Sequence, residues 1–454
     1  MIAGLPPGGA GRGPGGPVIP PGQQGRTAPI DVAGLPRPPG GSPRAARPRL
    51  GRAAAVVVAL VLAVGLLACS DGDEPASGGT DGGPSAPISV GDASAAPAAT
   101  LRAVLTAELE ARVHLLVARG AAERRGAEVE VAAVGRALGD RRDAIGSALE
   151  EAEVADVDEL VAVLDDQDDV LLAYASAPTR AAARRVRAGL AAEASRMAEV
   201  AEAMTGGRLP LDVARPLALS QLEALCDVAD AQRGGSSEAV VLATEAALVT
   251  SSRLLEPVVL ALSVEDGLVG APAGDAAEVR AELTSALLQH GFGAASSVLG
   301  ADGGDALVAG AADRFAAAIA ASYGAEVAGG VRARWTDHVA AAADASATAA
   351  TLRLAATSTE RTVAGPVALL AEQRSDDAIA ALADLLAEIV DDEEVADVVR
   401  SALEDHRLAM AEVRLSARPA TAGVSWRAAA DASLALSGLA DHLASAVTRQ
   451  KSLG

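Results

Sequence analysis

The sequence predicts an all-α fold, and three observations predict it. Half of the 454 residues are apolar, yet aromatics make up only 1%. The apolar content is mostly Ala, Leu and Val, and Ala and Leu are strong helix formers. From Leu101 onward apolar residues recur at spacings of three and four, the period of a helix face, and no stretch alternates convincingly as a strand would.

Before the helical part come three segments of different composition. Residues 1–52 are rich in Pro and Gly, which argues against a packed fold and predicts a disordered leader. Residues 53–69 form a signal segment. Arg44, Arg47, Arg49 and Arg52 precede an apolar run from Ala53 to Ala68, too short for a spanning helix of about 20 residues. The run ends in Leu66-Leu67-Ala68-Cys69, which resembles a bacterial lipobox. That resemblance implies export, cleavage before Cys69 and acylation of its thiol. The rest of the chain would then sit on the extracytoplasmic face of the cell membrane, held by its lipid. An uncleaved membrane anchor with a cytoplasmic tail is the alternative. Residues 70–98, rich in Ser, Gly, Asp, Pro and Ala, read as a flexible spacer.

The helical part divides at its Gly and Pro breaks. Those near Gly126, Pro178, Gly206–Pro210 and Gly234–Ser237 give about six helices before a link at 264–274. The same order then recurs. Leu105-Thr106 is matched by Leu283-Thr284, and Ala144-Ile145-Gly146-Ser147-Ala148 by Ala318-Ile319-Ala320-Ala321-Ser322. The expectation is two tandem helical bundles of about six helices each, repeat 1 at 99–265 and repeat 2 at 274–448, each long enough for its own core.

Charge narrows the partners. The formal net charge is −22, while residues 1–69 hold seven Arg and one acid, so the remainder is more acidic still. Such a surface repels phosphate backbones, and nucleic acid is not an expected partner. Of the two cysteines, Cys69 is assigned to the lipid. Cys226 lies in an apolar helical stretch and reads as a buried, inert thiol.

Four of the five histidines lie in repeat 2, each on its own helix. His290, His338, His406 and His442 each have apolar residues at i−7, i−3 and i+4, which places them on a core-facing stripe. Four inward imidazoles could converge, as metal sites in bundles do, and neutral imidazole suits zinc or copper. Met410, one turn from His406, would add a soft thioether and favour copper. At the aligned places repeat 1 has Arg112, Gln167, Gln221 and Pro257 and no imidazole. Unrelated core histidines, each bonded to a neighbour, are the competing expectation. Trp335 stands one turn before His338 and should lie beside its ring. His114 is off the main stripe of repeat 1 and is expected at the surface.

Signatures of catalysis are missing. There is no Glu-x-x-His, no His-Glu-x-x-His, no phosphate loop and no Gly-x-Ser-x-Gly. The one Gly-x-Gly-x-x-Gly string, Gly11 to Gly16, lies in the leader and reads as composition. The acidic run Asp165-Asp166-Gln167-Asp168-Asp169 lacks the glycine and closing Glu of a calcium loop and reads as a solvated helix face.

Short motifs carry one resemblance. Leu287-Leu288-Gln289-His290, Trp335-Thr336-Asp337-His338 and Leu403-Glu404-Asp405-His406 resemble motifs of an uncharacterised group of secreted bacterial helical proteins. In that group a Glu stands where Gln289 stands here. The resemblance implies the helical architecture and no activity. The expected function is therefore that of a membrane-anchored, non-enzymatic lipoprotein binding a protein or small molecule. The alternative is a copper- or zinc-binding or redox protein using the histidines of repeat 2.

Overall fold

The computed structural model describes residues 90–301, 303–416 and 422–453. The leader, the signal segment with Cys69 and spacer residues 70–89 lie outside the described residues, while the end of the spacer departs from the expected flexible link and forms a 3-10 helix, Val90–Ala95, and the start of the α-helix that follows. Those described are helical, and no strand occurs among them.

Local sequence sets most of the helix ends. Helix α1 (Pro97–Arg125) opens on a proline, whose missing N–H costs nothing there, and closes on Gly126 at φ +65°. Helices α2 (Glu128–Glu151) and α3 (Val157–Ala175) are separated by a turn with Glu153 and Asp156 at positive φ. Helices α4 (Arg180–Arg187), α5 (Leu190–Met204) and α6 (Leu211–Gly234) follow. Gly235 and the Ser236 cap, which accepts from the Ala239 N–H, then start α7 (Ser237–Glu265). Beyond the link come α8 (Asp275–Val298), α9 (Gly304–Tyr323) and α10 (Ala325–Leu354). A capping box of Thr357 and Glu360 opens α11 (Ser358–Val390). Helices α12 (Glu393–Ser416) and α13 (Ala422–Lys451) complete the series. Among the described residues seven α-helices precede the link, against about six expected, and the turns at 152–156 and 188–189 carry no Gly-Pro cluster to announce them.

Two helices are buried nearly all round, α1 and α8, and they pack against each other. Helix α1 buries Arg102, Glu110 and Arg112 along with its alanines and leucines. One core forms around α1 from Leu105, Leu138, Leu164, Leu222 and Leu248. A second forms around α8 from Leu283, Leu287, Phe315, Leu386 and Leu443. The first also takes in Leu288, Phe292, Trp426 and Ala430 from beyond the link. Polar ties cross in the same place. The Trp426 indole N–H donates to Glu130 at 2.8 Å, and Arg427 donates to Asp140 at 2.5 and 3.0 Å.

Helix α7 is long and apolar enough to cross a membrane, the one such helix among the described residues. Half of that apolar stretch is buried, and α7 packs along α6 and α1.

The acidic run is not the solvated face expected of it. Helix α3 turns Gln167 and Asp168 inward, 1% and 2% exposed, and leaves Asp165, Asp166 and Asp169 outside. Asp168 then sits between two guanidinium groups, accepting from Arg112 Nε at 2.8 Å and from Arg142 Nη1 at 2.6 Å. A buried carboxylate survives because it is doubly paired.

Candidate functional site

Three of the four repeat-2 histidines meet inside the bundle. Helix α8 carries His290, α10 carries His338 and α12 carries His406, and all three are buried. The stripe pattern explains the inward aim: Leu283 and Leu287, Val331 and Trp335, and Val399 and Leu403 are buried one and two turns earlier on the respective helices. The ring centroids of His290 and His338 are 5.8 Å apart, and those of His290 and His406 are 5.3 Å apart. Trp335 sits beside them as expected, its ring 5.1 Å from His290 and 6.1 Å from His338, edge-on to both.

These rings border a cavity of about 220 Å³. Its walls are otherwise mostly small and apolar, including Ala294, Val308, Ala342 and Met410. Met410 is buried, as its position one turn beyond His406 requires. Arg407 and Arg414 also line it, Arg407 being held outward by Asp376 at 3.1 Å. Asp305 is the lining carboxylate, and it accepts from the Ser297 hydroxyl at 2.5 Å.

The imidazole nitrogens have almost no protein partners. His338 Nδ1 and Nε2, His290 Nδ1 and His406 Nε2 are all buried without a hydrogen bond, and so is the Ser346 hydroxyl. Each such group costs about 1–3 kcal/mol if left dry. The cavity that their residues line is roomy enough for water or a ligand, and a turn of the rings would bring the enclosed nitrogens to it. The one contact is His406 Nδ1 to the Ala432 carbonyl at 3.4 Å. A carbonyl only accepts, so that contact puts the proton on Nδ1 and leaves a lone pair on Nε2.

Burial holds all three rings neutral. Desolvation lowers His338 to about 3 and His406 to about 4. His290 is pushed well below its ordinary value, by burial first and then by the other two imidazoles. Among the described residues, no group of three or more His, Cys, Asp or Glu side chains is placed to hold a metal ion as the side chains stand. The three rings surround a space.

His442 does not join them. It is exposed, because α13 turns Leu439, Ala440, Leu443 and Ala444 inward instead. The apolar residues that placed it inward include Ala435, itself exposed, and alanine is at home on either side of a helix. His114 departs from expectation in the opposite sense. It is 5% exposed and stacks on Phe292 with centroids 4.8 Å apart, since α1 is enclosed on all sides and has no outer face there. Burial, then the Arg314 charge, depresses it to about 3.

At the places aligned with these histidines Arg112, Gln167 and Gln221 are buried, and the Gln167 amide has no partner. Arg112 pairs with Asp168, and Gln221 Nε2 donates to the Ser251 hydroxyl at 3.0 Å. The cavity in that half is about 60 Å³, walled by Leu105, Ile145, Leu164 and Met197, and it lacks convergent unpartnered nitrogens. Cys226 is buried, and desolvation raises its thiol to about 12, as an inert core cysteine requires. No protein-family model, no curated protein and no solved structure matches this chain.

Proposed function

We propose that this chain is an exported, lipid-anchored binding protein, non-enzymatic, built as a tandem of helical units, whose ligand occupies the histidine cavity of the second. The observation that carries the reading is the set of four buried imidazole nitrogens without partners on the wall of a 220 Å³ cavity. Binding sites in bundles take this form, an apolar chamber with a few convergent polar groups. The anchoring part rests on Cys69 and its flanking sequence. The acidic exterior suits solubility and disfavours nucleic acid.

The test is a native mass spectrum of the protein purified from its own host, set against the same sample denatured. An extra mass should accompany the folded protein and vanish on denaturation. It should also be missing from an Ala294→Phe/Ser346→Leu variant, which fills the cavity and whose helicity is checked by circular dichroism. A folded protein that carries no added mass, or a filled variant that carries the same one, would overturn the reading.

A further inference from the structure

We propose that the cavity's ligand is a single monovalent copper ion, held by His290, His338 and His406 with the Met410 thioether as fourth donor. This rests on the histidine cavity being a binding site and names what it binds.

The spacing of the rings supports an ion. Metal–nitrogen bonds of about 2.0–2.1 Å, with about 1.1 Å more to the ring centre, put each centroid about 3.2 Å from the ion. Tetrahedral geometry then sets neighbouring centroids about 5.2 Å apart. The observed separations from His290 are 5.3 and 5.8 Å. The Ala432 carbonyl contact supplies the outer-shell partner that a ligating imidazole uses to fix its tautomer, here freeing His406 Nε2.

The donor set and its surroundings select the charge. Three neutral imidazoles and a thioether bring no negative charge. Asp305, the lining carboxylate, is exposed and bonded to Ser297, and Arg407 and Arg414 add positive potential. The cost of burying an ion grows with the square of its charge, so a dication costs about fourfold more than a monocation here. Zinc sites hidden from water usually include thiolate or carboxylate to offset that charge. Soft thioether and borderline imidazole donors without an anion suit Cu(I).

The full-length protein, extracted from membranes in detergent and stripped with chelator, is titrated anaerobically with Cu(I) against a chromophoric Cu(I) chelator, and separately with Zn(II). One Cu(I) per chain should bind, at least 100-fold more tightly than Zn(II). X-ray absorption should show nitrogen neighbours and one sulfur. Met410→Leu, close in volume and folded alike, should lose the sulfur and weaken Cu(I) about tenfold. His338→Leu, which replaces two unpartnered buried nitrogens with an apolar group, should abolish binding without lowering thermal stability. Zinc bound as tightly as Cu(I), or a sulfur signal that persists in Met410→Leu, overturns the proposal. No metal uptake together with an organic adduct in the native spectrum defeats copper and keeps the binding reading. Neither metal nor adduct defeats both.

Discussion

Replacing Glu110 by Gln should make the fold less sensitive to alkali. Glu110 lies on the central helix α1, 3% exposed, where α1 meets α8. The Ser285 hydroxyl donates to one carboxyl oxygen at 2.8 Å and itself accepts from Arg314 at 2.6 Å, while the other oxygen has no partner. Burial raises the carboxyl from 4.5 to about 7; Arg314 and Ser285 oppose the rise, and Glu282 adds to it. A group whose folded pKa lies above its unfolded value contributes stability that is fully present below the unfolded pKa and lost as pH rises through the folded one. The shift corresponds to about 3 kcal/mol at about 1.4 kcal/mol per pH unit, most of it lost between about pH 5 and pH 8. Gln keeps an acceptor for Ser285 and cannot ionise. Urea unfolding followed by circular dichroism at both pH values should show E110Q to be the more stable at pH 8, by about 2–3 kcal/mol relative to any difference at pH 5. Other acids titrate equally in both proteins, so only the difference counts. The same pH slope for parent and variant would refute the placement of Glu110 in a desolvated interior.

Asp168→Ala should cost about 3–5 kcal/mol in the same assay, because it strands the fully buried Arg112 cation. The double variant R112M/D168L should recover most of that loss. Two helix glycines should respond to alanine with opposite signs in thermal melts. A Cβ at Gly291 would meet Ser433 atoms at 2.6–2.8 Å, so G291A should lose about 1–3 kcal/mol. Nothing lies within 4 Å at Gly438, so G438A should gain about 0.5–1 kcal/mol. Cells fed an alkyne-tagged fatty acid should label the parent protein and not Cys69→Ser, and an unlabelled parent would favour the uncleaved anchor.

Much of the architecture is written in spacing and punctuation. Gly126 and Gly235 are visible in the chain because glycine solves a backbone problem there that few residues solve as well, whereas the start at Pro97 falls in what the composition gave to the spacer. The turn after α2 escapes notice because Glu153 and Asp156 hold positive φ without a glycine to announce it. The exchange between halves escapes for another reason. Leu288, Phe292, Trp426 and Ala430 lie beyond the link and yet enter the first core, and a helical period does not say into which core a residue packs. A fragment covering 99–265 should therefore stay helical by circular dichroism and melt below the full chain, since it leaves its core without those four side chains.

The histidines show how far a stripe argument reaches in a chain this rich in alanine. His290, His338 and His406 each follow a large buried residue by three and by seven positions, and large apolar side chains have little reason to be outside. His442 has Leu439 behind it but alanines at its other two markers, and an alanine stabilises a helix whether buried or exposed, so it carries little directional information. His114 fails the stripe test because α1 has no solvent face to oppose a stripe. The same reasoning separates the two halves chemically. The core around α1 holds buried charge in pairs, Arg112 with Asp168 and Asp168 with Arg142. Helices α8, α10 and α12 put three neutral bases at comparable depth and pair them with almost nothing. The proposed ligand site rests on that difference in chemistry, unpartnered neutral bases whose residues line a 220 Å³ cavity against charges held in pairs.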